Sequence, residues 1–360
     1  MSTTAEFGLG PMPFPRGWFM AAPAEDIDAK PQAIRLFGQD LALYRGKSGK
    51  AVLLDAYCPH MGTHLTKNTT SYVIQDGQIE GDSIRCPYHA WRFGPDGKCD
   101  HIPYYDGPIP KAAAVRSWPV VERAGIVFVW HDPEGGAPDY ELPAFAEWDD
   151  PTWIRWQIDR MGELPIHPQE IVDNLADGRH LGPTHGAPVE YFHDRIQGHI
   201  CVQHQGGRTA ALASDNKILQ TDSWYHGPGV MISSMTGEYD TQLFIAHTPV
   251  EDGSCRVWHA LMVRPPHGGA PTEADRAVAR AYGKASRDAF AQDFEIWQSK
   301  IGSTKILQIP TDGPFHKTRL WYSQFFHPRA EAAEIAKRAE GTFGIAGLPQ
   351  TRPPEQDAAE

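Results

Sequence analysis

Two short strings of the chain each pair a cysteine with a histidine. Cys58-Pro59-His60 and Cys86-Pro87-Tyr88-His89 each offer one thiolate and one imidazole from a turn whose proline pre-sets the backbone. Four such ligands suit a sulfide-bridged di-iron cluster, in which each iron needs two protein ligands. Both thiolates can then fall on one iron and both imidazoles on the other, which raises the reduction potential. A structural zinc ion accepts the same four ligands, and two unrelated buried pairs are the third reading. Cys99, Cys201 and Cys255 lie outside these strings. Scattered cysteines in a long chain read as ligands or buried thiols, not as a disulfide framework.

A second constellation lies further on. The run from Asp173 to His185 contains Asp177, His180 and His185 in the pattern D-x-x-H-x₄-H. A spacing of three puts Asp177 and His180 on one helix face. His185 is five residues beyond His180, about 140° round a continuous helix. The pair can share a metal if Gly182-Pro183 breaks the helix and lets His185 return on a turn. Two histidines then lack a carboxylate to complete a 2-His-1-carboxylate iron site. A long helix expected from Glu273 to about Ile301, with Thr272 as N-cap, offers Asp288, Asp293 and Glu295. With Phe290 at 0° and about 100° per residue, Asp293 falls at about 300°, between Ala289 at about 260° and Trp297 at about 340°. Glu295 and Asp288 fall at about 140° and 160°, on the polar side. A carboxylate amid an apolar stripe is costly unless paired or metal-bound, so Asp293 is the ligand candidate. A buried ion pair with an Arg or Lys is the alternative.

The elements that must hold these groups change character along the chain. From Phe14 to about Trp130 short β-rich runs (Ala33–Leu36, Leu41–Tyr44, Ala51–Leu54, Ser83–Cys86, Ile126–Trp130) alternate with turns at Gly46–Gly49, Asp76–Gly77 and Gly94–Gly97, which predicts a small antiparallel β domain. His131–Pro143 reads as a linker or surface crossing. Pro168–Arg179 is expected to be a short helix, followed by longer strands such as Val230–Met235 and Gln242–Pro249. Met231, Met235, Phe244 and Trp258 lie on strands expected to wall a pocket, with core packing as the alternative for each. Thr351–Glu360 reads as a polar tail.

The 360 residues suggest two or three domains. A net charge of −12 argues against a nucleic-acid binder, which needs a basic face. No stretch approaches the roughly 18 apolar residues of a membrane span, and no export signal is visible, so the expected location is the cytoplasm.

The segment from Phe14-Pro15-Arg16-Gly17-Trp18 through Asp55-Ala56-Tyr57-Cys58 to Cys86-Pro87-Tyr88-His89-Ala90-Trp91-Arg92 resembles the Rieske non-haem iron oxygenases. Within them it is most similar to the oxygenase component of 3-ketosteroid 9α-hydroxylase and to the Neverland-type sterol oxygenases. Ser117-Trp118-Pro119, Phe128–Gly135, Gln292–Trp297 and Arg319–Phe325 extend the resemblance. It implies an α+β chain, with an all-β Rieske [2Fe–2S] domain over 14–135 and a catalytic domain over 136–345. The catalytic domain would have an antiparallel sheet flanked by helices (helix-grip-like), and 346–360 would be a tail. Cys58, His60, Cys86 and His89 would hold the cluster, and His180, His185 and Asp293 a mononuclear non-haem iron. Asp177 would bridge a neighbouring subunit's cluster histidine, matched here by His89, to His180 in a ring of three chains. Asn174, one turn earlier, would support it.

The implied activity is that of a terminal monooxygenase, using O₂ to hydroxylate an apolar, steroid-like or other polycyclic or aromatic compound. Electrons would come from NAD(P)H through a separate ferredoxin or flavin reductase, because no P-loop or Rossmann fingerprint is present. O- or N-demethylation, desaturation, a non-catalytic Rieske electron carrier and a zinc-stabilised binding module are the rival readings.

Three features depart from the family text. The ligand pairs are separated by a long segment, 61–85, whose surplus Lys67–Gln78 reads as an enlarged hairpin. Ala90 replaces the usual glycine. Gly-Arg-His-Leu-Gly stands where steroid hydroxylases carry a more apolar run.

Overall fold

A computed structural model describes residues 2–208, 218–237 and 239–352. The chain divides into two compact units, one spanning Trp18–Pro138 and the other joining the residues up to Gly17 to those from Asp139 onward. The first residues, with one helical turn α1 (Thr4–Phe7), therefore belong to the later part of the chain. The smaller unit starts at 18, not 14. The reason is hydrogen bonding: Met12 N donates to Phe326 O (3.1 Å) and Arg16 N to Phe325 O (2.7 Å). Thr4 Oγ1 donates to Pro13 O (2.8 Å) and accepts from His167 Nε2 (3.0 Å).

The smaller unit is built from three sheets. β1 (Gly17–Pro23), β2 (Gln32–Leu36), β3 (Gln39–Arg45) and β4 (Ala51–Asp55) precede the long segment between the ligand pairs. That segment is not a plain hairpin. It contains one helical turn, α2 (Tyr72–Gln75), pinned by Arg85 donating to Gly77 O (2.6 Å) and by Gln78 donating to Arg85 O (2.8 Å). β5 (Ile79–Glu80), β6 (Ser83–Arg85), β7 (Arg92–Phe93) and β8 (Cys99–His101) form the second sheet in that order; β10 (Ile126–His131) pairs with β1 on one side and with β9 (Val120–Arg123) on the other. The linker expected from His131 starts later, because His131 is buried and stacks on Phe37 with ring centroids 4.1 Å apart.

The larger unit has one eight-stranded antiparallel sheet. In chain order its parts are α3 (Ala146–Asp149), β11 (Asp159–Leu164), α4 (Gln169–Ala176), α5 (Leu181–His185), β12 (Val189–Gln197), β13 (Ile200–Arg208), β14 (Ile218–His226), β15 (Val230–Thr236), β16 (Asp240–Glu251), β17 (Ser254–Arg264), α6 (Glu273–Ser299), α7 (Phe315–Ser323), α8 (Arg329–Ala339) and β18 (Gly341–Gly344). The sheet order is β11-β17-β16-β15-β14-β13-β12-β18, so the central strands form a meander and the ends of the unit close its edges. The N-cap of α6 is Thr272, with a reciprocal capping box to Asp275. The chain beyond β18 is not a loose tail at first: Phe192 N donates to Pro349 O (2.9 Å) and Gln350 O meets His193 Nδ1 (2.5 Å). Residues 353–360 lie outside the described residues.

His167 and His247 are sealed in this unit, as is His259. Burial pushes His167 and His247 each down to about 3, and His247 Nε2 meets Tyr225 Oη at 2.8 Å. An unfolded chain takes up protons on both rings near pH 6.5, whereas the folded chain refuses them until far lower. Their contribution to stability is complete above pH 6.5 and is lost as pH falls from there toward 3. In denaturant titrations between pH 6 and 4, His247→Phe should lose less stability per pH unit than the parent, by about 1.4 kcal/mol for the single ring removed. Equal acid sensitivity in the two proteins would contradict this.

Candidate metal centres and cavity

In the smaller unit the two ligand strings sit on turns, one after β4 and one after β6. Cys58 and Cys86 are buried, whereas His60 is exposed and His89 half-buried. The His60 and His89 rings lie 4.6 Å apart edge to face, and His60 also stacks on Trp91 at 4.4 Å. Two thiols inward and two imidazoles toward the surface suit a cluster whose irons carry unlike ligands. Cys86 is held below the ordinary thiol range, first by a hydrogen bond from Cys58 and then, against the opposing effect of burial, by the backbone N–H groups of Tyr88 and His89. Thiolate ligands and donors directed at sulfur fit an iron–sulfur cluster. Ala90 sits at φ 57°, a left-handed conformation that disfavours any residue but glycine by roughly 1–2 kcal/mol. The turn tolerates the departure, with Ala90 N donating to Cys86 O (3.0 Å).

In the larger unit, His180, His185 and Asp293 each present a ligand atom, all within 4.8 Å of one another. The route to that convergence differs from expectation. The helix does not break at Gly182-Pro183. It ends at Ala176, Asp177 takes φ −98° and ψ 83°, and His180 is the N-cap of α5. Asp177 and His180 therefore do not share a helix face. Pro183 is tolerated because it falls in the first turn of α5, where a backbone N–H has no helical partner. The break is fixed by packing. Gln203 Nε2 donates to Leu175 O (2.6 Å) at the end of α4. Gly313 lies so close that a Cβ would stand 1.6 Å from Ala176 O.

Hydrogen bonds then set the two rings. His180 Nδ1–H donates to Asp177 O (2.6 Å) and His185 Nδ1–H to Gln292 Oε1 (2.9 Å). That leaves both Nε2 lone pairs toward the shared point, with His185 Nε2 at 3.4 Å from Asp293 Oδ1. Asp293 is buried, and the side chain facing it is His185, not an Arg or Lys. Glu295 and Asp288 are exposed, and Asp288 pairs with Lys284. Two neutral imidazoles and a carboxylate with open positions fit a mononuclear iron.

Asp177 remains partly exposed. Its Oδ1 accepts from the backbone N–H of Arg179 (3.0 Å) and of His180 (3.2 Å), and Oδ2 is 3.6 Å from His180 Nδ1. Burial raises its carboxyl, but the bonds and charge of His180 outweigh that and hold it below the ordinary range. The Arg179 guanidinium reaches Thr311 O and Ala346 O.

The triad opens into a cavity walled by α4–α6 and by one face of β13–β16. Asn174, Met231 and Met235 line it, with Leu243, Ile245, Phe290 and Trp297. Phe244 and Trp258, expected beside them, face the other side of the sheet. Met231 pairs with Ile245, while Phe244 pairs with Ala260 and Ala246 with Trp258. Side chains alternate along a strand, so Phe244 packs on Phe145 and Trp156 (6.0 and 5.4 Å). Gln203, Gln292, Ser286 and His259 were not singled out from the sequence. Ser286 had a signal: on the same helical wheel it falls at about 320°, a second polar group in the apolar stripe.

Comparison with known proteins agrees in extent with this architecture. Residues 17–119 match the family described as Rieske [2Fe-2S] domain, and residues 129–326 the 3-Ketosteroid 9alpha-hydroxylase C-terminal domain. A probable 3-ketosteroid-9-alpha-monooxygenase, oxygenase component, from Rhodococcus rhodochrous is 34% identical over 90% of this chain and 82% of its own. The cholesterol 7-desaturase of Bombyx mori is 30% identical over 88% of this chain and 70% of its own. A crystal structure of dicamba monooxygenase with non-haem iron and dicamba superposes with a TM-score of 0.62 at 21% identity, covering 89% of this chain and 98% of that one.

The geometry separates the acids of α6. Asp293→Ala should lower iron from about three to about two per chain while leaving the visible spectrum of the cluster unchanged, whereas Glu295→Ala should keep all three. Elemental assay of the two variants decides; the reverse pattern would overturn the assignment of Asp293.

Proposed function

The chain belongs to the Rieske oxygenases of the 3-ketosteroid 9α-hydroxylase family, and from that premise we propose that it hydroxylates a fused-ring, steroid-like compound. It is a non-haem iron monooxygenase of the terminal-oxygenase type, with a [2Fe–2S] cluster and a mononuclear iron as cofactors. In our reading Cys58, His60, Cys86 and His89 hold the cluster, and His180, His185 and Asp293 hold the iron. The observation that carries the reading is the convergence of two imidazoles and one buried carboxylate at the wall of an otherwise largely apolar cavity. When bound, the mononuclear iron supplies the oxygen chemistry, with electrons delivered by the cluster.

The chain's own residues do the rest. Asp177 and Gln292 fix the imidazole tautomers of His180 and His185, so both rings keep their Nε2 lone pairs for the metal. Met231, Met235, Leu243, Ile245, Phe290 and Trp297 exclude water and receive an apolar ring system by burial of its surface. The carboxylate of Asp177, partly exposed yet tied to the His180 backbone, is suited to accept an N–H from a cluster imidazole. We assign it the bridge from a neighbouring subunit's His89 to His180 in a trimer, with Asn174 supporting the end of α4. Electrons come from NAD(P)H through a separate ferredoxin or flavin reductase. No described helix is long and apolar enough to cross a membrane, and we place the enzyme in the cytoplasm.

Two outcomes test this reading. The reconstituted enzyme with a surrogate reductase should yield a mono-oxygenated product from at least one member of a panel of steroids, bile-acid-like compounds and methoxylated aromatics. A steroid product supports the proposal, and product from methoxyarenes alone, as phenol, replaces it with demethylation. Asp177→Asn should retain both iron centres but lose more than 100-fold in reductase-coupled turnover. Turnover close to the parent's would remove the bridge.

A further inference from the structure

The cavity wall carries a polar relay that iron binding does not use. Asp159 on β11 and His259 on β17 are register partners across the sheet. Asp159 Oδ2 lies 3.0 Å from His259 Nδ1, and His259 Nε2 lies 2.9 Å from Ser286 Oγ. His259 is fully buried and Ser286 is 7% exposed, and Ser286 lines the cavity. Asp159 stays in contact with the surface, where Arg287 Nη1 donates to its Oδ1 at 3.4 Å. Ser286 precedes Asp293 by seven residues, about 10.5 Å along the same face of α6.

Three groups in this order also make a hydrolase triad, but Ser286 lies within a 27-residue helix. The backbone N–H groups around it are spent on the helix ladder, so none is left to form an oxyanion hole. The relay does something else, and its protons say what. Asp159 is held below the ordinary carboxyl range: burial raises it, but the hydrogen bond from His259 and the neighbouring Arg287 guanidinium together outweigh that. As a carboxylate it only accepts, so His259 Nδ1 carries a hydrogen. With Nδ1 holding the ring hydrogen, Nε2 offers a lone pair, and Ser286 donates its single hydrogen there. The lone pairs of Ser286 Oγ are what the relay leaves for a ligand. By contrast, Ser223 and Ser233 in the same wall bond one another at 2.7 Å and either can donate, so they impose no fixed polarity.

We propose that Ser286, oriented by His259 and Asp159, is the subsite for a hydroxyl group of the substrate, two helical turns from the Asp293 carboxylate. The proposal rests on reading the cavity as the site of a fused-ring compound, and adds which polar group that compound brings. An alcohol donates to Ser286 Oγ. A ketone in the same place sets acceptor against acceptor and leaves both unpaired in an apolar site. Ser286 touches the ligand; His259 and Asp159 are positioning residues.

The test is equilibrium binding to the iron-loaded protein, followed by quenching of Trp fluorescence, with alcohol and ketone partners of two scaffolds: a 3-hydroxy and 3-keto steroid, and a tetralol and tetralone. The parent protein should prefer the alcohol about tenfold. Ser286→Ala should bring the ratio near one by weakening the alcohol. Asp159→Asn should invert it. Arg287 keeps the amide oxygen, the amide N–H₂ faces His259 Nδ1, and the ring hydrogen moves to Nε2, which turns the Ser286 hydrogen to the cavity. A purely structural role for the relay predicts equal losses for both partners. A ratio near one in the parent, or one that neither variant moves, overturns the subsite. If the tetralin pair shows the pattern and the steroid pair does not bind, the steroid reading falls and the subsite stands. If neither pair binds, both fall.

Discussion

A buried carboxylate on the apolar face of a helix must find positive charge or pay several kcal/mol in desolvation. Asp293 is that carboxylate, and the imidazoles that would share a bound cation with it come from α5, a helix of only five residues, and from its N-cap. The helix is too short to hold itself in place, so the site depends on whatever fixes its two ends. At one end Asp177 receives the backbone N–H groups of Arg179 and His180 while its own carbonyl holds the His180 ring. At the other, Gln292, next to Asp293 on α6, takes the Nδ1 hydrogen of His185. The long helix thus supplies both the charge and the group that aims the opposing imidazole at it.

The two candidate centres solve different problems with similar ligands. In the smaller unit the thiols are interior and ringed by N–H donors, while the imidazoles stand at the surface. Donors to sulfur and burial both tune a cluster's potential, and rings at the surface give electrons an exit. In the larger unit all three ligand residues are buried or half-buried, which suits chemistry that water would divert. Separate units allow these opposite environments to be built without compromise between them.

How much of this was readable in advance depended on the period of each element. The helical wheel of α6 separated Asp293 from Glu295 and Asp288, because the helix is long and its apolar stripe continuous. The strands of the smaller unit were readable because turn residues bracket each one. Parity along the sheet was not. Met231 and Met235 share a face by their even spacing, but whether Phe244 and Trp258 join them depends on cross-strand register, which single strands do not encode. The break between α4 and α5 was misplaced by one turn, since Gly182-Pro183 is the stronger local signal. The actual break is enforced by distant contacts, among them Gly313 against Ala176 O and Gln203 at the end of α4. The return of residues 4–16 to the larger unit was equally hidden, because it rests on backbone bonds that carry no side-chain signature.

The polar residues in the cavity wall explain why an apolar ring system is the natural guest. Gln203 is committed to the carbonyls of α4, Ser223 and Ser233 to each other, and Ser286 to His259. A polar group whose hydrogen is already spent attracts water less and costs less to cover. The wall is therefore more apolar than its composition. Its remaining polarity lies at the triad of His180, His185 and Asp293, at Asn174, Gln205 and Thr221 and, two turns along α6, at the lone pairs of Ser286. A rigid molecule long enough to touch both the triad and Ser286 would be held in one orientation, and the C–H bonds presented to the triad would follow from that distance rather than from their own reactivity.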